Sequence, residues 1–348
     1  MSIVRYLAAP LAPIYGMVVA RRNRRFDLHP DLAQRAGVPV ISLGNLSTGG
    51  TGKTPVSLFL ATNLEAEGFP TAILSRGHGG QRSVDPMAVV PGANPTESGD
   101  EPALMAERLG KFRVFVGRKR IEAARLARTQ RPELQVLLLD DGFQHRALYR
   151  DLDLLLLDGL RLWGNGRLLP LGDLREPASS ARRAQALIVT RAGRVADREA
   201  VEEWWKQNGS GGPIFWLDFR LASLRTLDGV STPLPEETPV PSYAWCGLGN
   251  PEAFFADLRS VGVSMRETAR FADHHGPSPD ELEAMDAEAI HVGAKRLICT
   301  EKDAVKLTEE HLSRLSIPLL IAEQRVEGGA GLLGFVEGKL HALMAPKK

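Results

Sequence analysis

Short apolar runs alternate with stretches of helical periodicity through the first two thirds of the chain. The run at 136–139 is apolar at every position, which is typical of a parallel strand covered on both faces. Strands are predicted over residues 38–43, 71–74, 87–90, 113–116, 135–139, 154–157 and 186–190, and helices over 54–67, 101–109 and 120–128. This alternation predicts an α/β domain with a doubly wound sheet, in which ligands bind beyond the carboxyl ends of the strands.

The pattern changes at the glycine-rich segment 208–213. Apolar runs at 214–219 and 224–227, followed by the turn residues Asp228 and Gly229, predict an extended β-ribbon. Ser278 and Glu281 form a capping box at the start of a later helix. Further strands are predicted over 243–246, 297–299 and 319–322, and a helix over 252–261. The chain is therefore predicted to have a larger domain, 26–213, joined by the ribbon to a second, smaller α/β domain, 214–348.

The beginning of the chain has its own pattern. Residues 6–20 carry no charge, and the basic run RRNRR at 21–25 follows directly. A membrane span needs about 20 apolar residues, and a signal peptide places its positive charges before the apolar stretch. We predict that residues 1–25 form a membrane-interface helix lying among anionic headgroups. The alternative is a helix packed on the protein's own core with a solvated basic end.

Composition narrows the class of protein. Of 348 residues, 43% are hydrophobic and 24% are charged, which describes a globular chain long enough for two domains. A formal net charge of +1 argues against a nucleic-acid binder. The two cysteines, Cys246 and Cys299, each lie in an apolar run, so buried thiols in a reducing compartment are expected rather than a disulfide.

The sequence STGGTGKT at 47–54 lies between the first predicted strand and its helix. Such glycines turn backbone N–H groups toward phosphate oxygens, the lysine reaches the β- and γ-phosphates, and the threonine hydroxyl ligates Mg²⁺. The usual pattern has glycine where this chain has serine, and an ordinary glycine-rich turn is the alternative. The predicted phosphate cradle consists of Ser47, Thr48, Gly49, Gly50, Thr51, Gly52, Lys53 and Thr54.

Two carboxylates, Asp140 and Asp141, end the apolar strand 135–139. In a P-loop protein an aspartate at this position holds Mg²⁺, directly or through water. Paired carboxylates beside a triphosphate are costly without a cation, so a metal explains both. The alternative is a solvated turn, since Asp-Asp-Gly is also common turn chemistry.

Other polar groups allow two interpretations each. Ser98 and Glu101 fit a capping box that places Asp100 in the first helical turn, although Asp100 is also able to accept a proton from a substrate hydroxyl. The cationic group 117–120 is either a phosphate clamp or a helix start. His274 and His275 suggest a phosphate-facing site or a solvated loop. The charged residues at 300–306 suit either a nucleoside contact or a helix start.

Taken in order, these motifs resemble one family, the tetraacyldisaccharide 4′-kinases of lipid A biosynthesis. The similar stretches are SLGNL at 42–46, TGGTGKTP at 48–55, LSRGHG at 74–79, GDEP at 99–102, LDDGFQH at 139–145, LGDLREP at 171–177, FADHH at 271–275 and TEKDAVK at 300–306. The resemblance runs from the N-terminal apolar segment to about residue 306. One departure is Ala272, where the family pattern has proline.

The resemblance implies a kinase that moves the γ-phosphate of ATP to the 4′-hydroxyl of an acylated glucosamine disaccharide 1-phosphate, giving lipid IVA. It implies Mg²⁺ as cofactor and a peripheral position on the cytoplasmic face of the bacterial inner membrane. No nucleic-acid partner is expected from the net charge, and no obligate protein partner is evident from the sequence.

The resemblance also assigns site residues. Asp100 maps to the family's catalytic aspartate, the general base, and His274 maps to its partner histidine. Thr54 with Asp140 or Asp141 would hold Mg²⁺, and Asp141 is counted with the catalytic residues as well. Arg175 is placed near the nucleotide and Glu176 near the metal, with their individual roles open. His274 lies in the second domain, so its joining Asp100 requires domain closure on substrate.

Two other classes of protein fit part of the sequence. A nucleotide-switch GTPase or metallochaperone-type factor explains the cradle and Asp140, but it gives no reason for the N-terminal segment. The Asn/Thr-Lys-x-Asp loop of guanine readers is also missing. A cytosolic small-metabolite kinase is the other alternative, and it would show no membrane association. The Gly-Lys-Thr ending argues against a dinucleotide oxidoreductase.

Overall fold

A computed structural model describes residues 10–77, 80, 85–235, 238–272 and 275–345. Thirteen strands form one continuous sheet within these residues. The strands are β1 (Val40–Asn45), β2 (Thr71–Ser75), β3 (Met87–Val89), β4 (Val114–Val116), β5 (Val136–Asp140), β6 (Leu152–Asp158), β7 (Ala186–Thr190), β8 (Ile214–Arg225), β9 (Ser231–Pro233), β10 (Ser242–Cys246), β11 (Met265–Arg270), β12 (Arg296–Thr300) and β13 (Leu319–Glu327). The predicted α/β fold class is confirmed.

Helices cover the faces of this sheet. The α-helices are Leu11–Leu28, Lys53–Ala66, Pro95–Ser98, Asp100–Leu109, Arg120–Gln130, Arg198–Asn208, Pro251–Ser260, Pro279–His291, Glu301–Ala304, Glu309–Ser313 and Ala330–Met344. Short 3₁₀ turns lie at Pro30–Leu32, Ala178–Arg183 and Ala192–Arg194. Ser278 closes the predicted capping box with Glu281, because this motif needs only local contacts.

The first half of the sheet has the strand order β7-β6-β1-β5-β2-β4-β3. Its strands run parallel except for β3, which pairs antiparallel with β4 at the edge. Strand β1 lies between β5 and β6, with Leu43 beside Asp140. The loop after β1 and the carboxylates after β5 therefore leave the same edge of the sheet as neighbours.

Strand β8 belongs to both halves of the sheet. Residues 214–217 pair parallel with β7, and residues 218–225 pair antiparallel with β13. The antiparallel partner β9 gives the predicted ribbon around the turn at Asp228. The second half continues in the order β13-β12-β10-β11, all parallel to one another. The predicted boundary near residue 213 thus falls beside a shared strand and not in a linker.

The C-terminal helix Ala330–Met344 returns to the first half. Its buried residues Leu332, Val336 and Leu340 share one core with Leu60 and Leu64 of the helix Lys53–Ala66. The predicted second domain, 214–348, therefore does not include the C-terminal helix, which packs with the first half. Apolar burial against the first half decides where this helix lies.

The N-terminal helix Leu11–Leu28 includes the basic run at 21–25 and ends three residues beyond the predicted segment 1–25. Val19 and Asn23 are buried on one side, whereas Met17 and Val18 are each 63% exposed on the other. One side of the helix therefore packs on the protein, the other side is exposed, and membrane contact stays a prediction. In the part of the chain that is described, no helix combines the length and the apolar character that a membrane crossing requires.

Candidate active site

The phosphate cradle is a tight loop between β1 and the helix Lys53–Ala66. Gly49 and Gly52 have φ angles of +103° and +74°, a backbone region that side chains rarely adopt. A Cβ atom on Gly52 would lie 2.4 Å from the ring of Phe219. Both conformation and space therefore require glycine at 52, which is the residue that starts the helix. The free N–H groups of a helix start favour an anion there.

Neighbouring segments hold the loop in place. The backbone N–H of Thr48 donates to the carbonyl of Asp173 at 2.7 Å. The hydroxyl of Thr190, at the end of β7, donates to the carbonyl of Thr51 at 2.9 Å. The cradle is thus fixed from two sides before any ligand binds, which reduces the cost of ordering it.

Lys53 reaches back over the loop. Its Nζ lies 3.2 Å from Oδ1 of Asn45 and 3.4 Å from Oδ1 of Asp141. Arg175 also contacts Asp141, with N···O distances of 2.9 and 3.2 Å. Burial raises the pKa of Asp141, but the charges of Lys53 and Arg175 outweigh burial and hold that pKa below its ordinary value. Asp141 is therefore an ionised carboxylate between two cations.

Asp140 has the opposite environment. Its side chain is buried and accepts a hydrogen bond from the Ser57 hydroxyl at 3.0 Å. Burial, together with the negative charge of Glu101, raises the pKa of Asp140 to about 7. A carboxylate in this environment has too little positive charge around it, and a divalent cation would supply it. The donor set fits Mg²⁺, with the half-buried Thr54 one residue beyond Lys53.

Within the residues that the structure describes, no group of three or more histidine, cysteine, aspartate or glutamate side chains is placed to hold a metal ion. Magnesium prefers several water or phosphate oxygens and only one or two carboxylates. A site completed by nucleotide phosphates is consistent with this donor set.

Asp100 is the first residue of the helix Asp100–Leu109. The predicted capping box is wrong: Gly99 starts the helix with φ +92°, and no side chain caps it. The Ser98 hydroxyl donates instead to the carbonyls of Asn94 and Gly99. The carboxylate of Asp100 lies 3.9 Å from Nζ of Lys306 and is 20% exposed. Asp100 is thus accessible at the start of a helix, near a cation from the second half.

Lys306 is the residue that sequence reasoning missed. Its Nζ donates to Oδ1 of the buried Asp303 at 3.2 Å and to the carbonyl of His275 at 3.2 Å. The Thr300 hydroxyl donates to the Asp303 carboxylate, and its oxygen accepts a hydrogen bond from the Asp303 backbone N–H. Thr300 thereby caps the short helix Glu301–Ala304. The charged motif at 300–306 is therefore a helix start, and its last lysine faces Asp100. The predicted catalytic His274 and its neighbour Asp273 lie outside the described residues.

Glu176 does not join the other predicted metal ligands, which is a correction. Its side chain is fully buried, with Oε2 accepting from Asn23 at 2.7 Å and lying 2.9 Å from Arg183. Arg22 lies 3.1 Å from Oε1. Both carboxylate oxygens are engaged by these three side chains, so Glu176 ties segments together and does not present ligands to a cation.

Arg120, from the cationic group 117–120, is buried beside the carboxylates. Its guanidinium donates to the carbonyls of Gly117 and Arg118. Burial, followed by the positive charge of Arg76, lowers the pKa of Arg120 to about 10. The helix-start interpretation of this group is correct, and its positive charge also reaches Asp140 and Asp141.

A glycine-rich cradle after a central parallel strand, a lysine over it and two carboxylates from the neighbouring strand define a P-loop nucleotide-binding protein. Comparisons with known proteins agree. A profile of the family described as tetraacyldisaccharide-1-P 4′-kinase matches residues 4–334. The chain therefore belongs to the tetraacyldisaccharide-1-P 4′-kinase family, and it is a kinase.

Individual relatives cover nearly the same length. A tetraacyldisaccharide 4′-kinase from Halothermothrix orenii is 35% identical over 331 residues, 90% of this chain and 85% of the relative. A tetraacyldisaccharide 4′-kinase from Anaeromyxobacter dehalogenans strain 2CP-C is 40% identical over 305 residues, which are 84% of this chain and 79% of the relative. The crystal structure of the "apo" form of LpxK from Aquifex aeolicus in complex with ATP matches with a TM-score of 0.75 and 29% identity. That match covers 97% of this chain and 100% of the other.

Proposed function

We propose that this chain transfers the γ-phosphate of ATP to the 4′-hydroxyl of tetraacyldisaccharide 1-phosphate, giving lipid IVA. The match to the kinase family over nearly the whole chain carries the proposal. The cradle after β1 and the two aspartates after β5 support it, because they supply what phosphoryl transfer requires: positioning and neutralisation of charge.

In this proposal the loop 47–54 holds the phosphates through backbone N–H groups and Lys53. Thr54 and Asp140 or Asp141 hold Mg²⁺, which neutralises phosphate charge when it is bound. Arg175 keeps Asp141 ionised and in place, as their 2.9 Å contact indicates. Nucleotide binding draws Lys53 from its contact with Asp141 toward the phosphates.

Asp100 accepts the proton of the 4′-hydroxyl as that oxygen forms its bond to the γ-phosphorus and the bond to the β-γ bridging oxygen breaks. Asp100 lies at a helix start and its side chain is 20% exposed, which leaves room for an acceptor hydroxyl. His274, as partner of Asp100, remains part of the proposal through the family motif alone.

We further propose that the N-terminal helix rests on the cytoplasmic face of the inner membrane. Its exposed apolar residues at positions 11, 14, 17 and 18 share one side of the helix, and the basic run RRNRR follows at 21–25. The exposed side chains are Leu11 (56%), Ile14 (54%), Met17 (63%) and Val18 (63%). Such a helix suits an acceptor that lies in a bilayer.

Transfer of radiolabel from γ-labelled ATP to tetraacyldisaccharide 1-phosphate in detergent micelles with Mg²⁺ tests the activity. Labelled lipid is expected from wild type and from Lys111→Ala, an exposed lysine outside the site. Lys53→Ala and Asp100→Ala are expected to give almost none. A folded, ATP-binding wild type that labels no lipid would overturn the proposal and favour a nucleotide switch. Full activity in Asp100→Ala would remove that residue from the mechanism.

A further inference from the structure

Two sets of contacts fasten the N-terminal helix to one short segment beside the cradle. The hydroxyl of Tyr15 donates to the carbonyl of Arg175 at 2.9 Å. Further along the helix, Asn23 donates to Glu176 at 2.7 Å, and Arg22 contacts the same carboxylate at 3.1 Å. Since one helix holds two consecutive residues, the segment moves together with the helix.

The contact at Glu176 is stiff. Its side chain is fully buried and Asn23 is 8% exposed, so water does not compete for this carboxylate. Arg183 contacts the same oxygen as Asn23, at 2.9 Å. Charge-assisted hydrogen bonds in a dry environment have a defined geometry and are costly to break one at a time.

The other end of this segment reaches the nucleotide site. The backbone N–H of Arg175 donates to the carbonyl of Leu46 at 2.6 Å, just before the cradle. Its guanidinium holds Asp141, whose Oδ1 lies 3.4 Å from Nζ of Lys53. A continuous series of polar contacts therefore links the N-terminal helix to the lysine that binds phosphate.

The same helix presents Ile14, Met17 and Val18 to its surroundings on the side away from Asn23. We propose that Glu176 and Asn23 couple docking of this helix on an anionic lipid surface to nucleotide binding in the cradle. The two act as positioning residues, which transmit a fixed helix position to Arg175. This inference rests on the proposed membrane contact. Because coupling between two binding events is reciprocal, the lipid surface tightens nucleotide binding as much as nucleotide tightens lipid binding.

The test measures nucleotide affinity and lipid binding separately on the full chain. A fluorescent ATP analogue is titrated with Mg²⁺, with and without vesicles of phosphatidylethanolamine and phosphatidylglycerol that contain no acceptor lipid. Sedimentation with the same vesicles is followed in parallel. For wild type, we expect vesicles to lower the Kd of the analogue about fivefold, a common size for coupling between sites.

Asn23→Leu and Glu176→Gln are expected to sediment with vesicles as wild type does and to lose this change in Kd. Asn208→Leu is the matched control, since Asn208 donates to the carbonyl of Trp204 in its own helix, far from this contact in sequence. It should keep the full change. If either variant unfolds at a lower temperature than wild type, Tyr15→Phe is tested instead, because it removes only one hydroxyl. Vesicles are expected to change the Kd of this variant less than that of wild type.

The outcomes separate the two proposals. Sedimentation of wild type without any change in Kd would overturn the coupling and leave the membrane contact standing. Absence of sedimentation would overturn both. A change in Kd that survives in folded Asn23→Leu and Glu176→Gln proteins would show that another route connects the two sites.

Discussion

Nζ of Lys306 lies 3.9 Å from the carboxylate of Asp100, although the two residues belong to opposite halves of the sheet. Lys306 is only 9% exposed and is held by Asp303. The cation is therefore a fixed part of the second half, and it contacts the proposed general base of the first half.

Lys306→Met is expected to lower kcat about tenfold, the effect of losing one charged hydrogen bond or ion pair of about 1.4 kcal/mol. The KM for ATP should change little, because Lys53 and the cradle keep their contacts. Steady-state kinetics with both substrates varied measures this. The exposed Lys295 provides the control, as Lys295→Met. An unchanged kcat would show that Asp100 does not need this cation.

Ser57→Ala is expected to raise the Mg²⁺ concentration needed for half-maximal activity about tenfold. The Ser57 hydroxyl donates to buried Asp140 at 3.0 Å, and a hydrogen bond to a buried charge is worth about 1.5–3 kcal/mol. Activity titrations with Mg²⁺ at saturating ATP check the shift. Ser260→Ala removes a hydroxyl that bonds only to a local carbonyl, and it should behave as wild type. An identical titration for Ser57→Ala would argue against Asp140 as a metal ligand.

His145 makes stability depend on pH. Burial, together with the positive charges of Arg120 and Arg150, lowers the pKa of His145 from 6.5 to about 4. A depressed pKa means that the unfolded chain binds a proton which the folded chain does not, so stability falls as pH falls from 6.5 toward 4.

Between pH 7 and pH 5 this one group accounts for a loss of about 2 kcal/mol in the free energy of unfolding. His145→Asn lacks the titrating ring, so its stability should fall less over the same interval. Denaturant unfolding at both pH values gives the comparison. Equal losses for the two proteins would contradict the assigned environment of His145.

Val18→Glu is expected to abolish most sedimentation with anionic vesicles, because it places a negative charge on the exposed apolar side of the helix. Val18 is 63% exposed, so folding should tolerate the change. Val230→Glu is a matched control, since Val230 is 61% exposed beside the turn after β8. Equal sedimentation of both variants would contradict membrane contact through this helix.

Leu340→Ala is expected to destabilise the protein by about 2–5 kcal/mol, the usual cost of truncating a fully buried leucine. Leu340 is fully buried in the core that contains Leu60 and Leu64. Leu343→Ala, at a position 44% exposed on the same helix, should cost far less. Similar melting temperatures for both variants would mean that the C-terminal helix is not part of the first core.

Local patterns predicted much of the fold. The strand predicted over 186–190 agrees with β7 at both ends, because an unalternated apolar run can only be buried on both faces. The cradle at 47–54 could be predicted from the sequence, because its tight loop requires glycines with positive φ at fixed local positions. The capping box at Ser98 failed because a competing local motif took its place. Asn94 starts an earlier turn with its own side chain, and Gly99 then separates the two helices.

By itself, the sequence determined most of the strands, the nucleotide cradle, the paired aspartates and the charge-free N-terminal segment. Each of these depends on residues that are neighbours along the chain. Only the tertiary structure placed Lys306 beside Asp100, paired Glu176 with Asn23 and packed the C-terminal helix on the first half. Those contacts join residues far apart in sequence. The burial of apolar surface over the whole sheet determines which distant charges meet, and no local pattern carries that information.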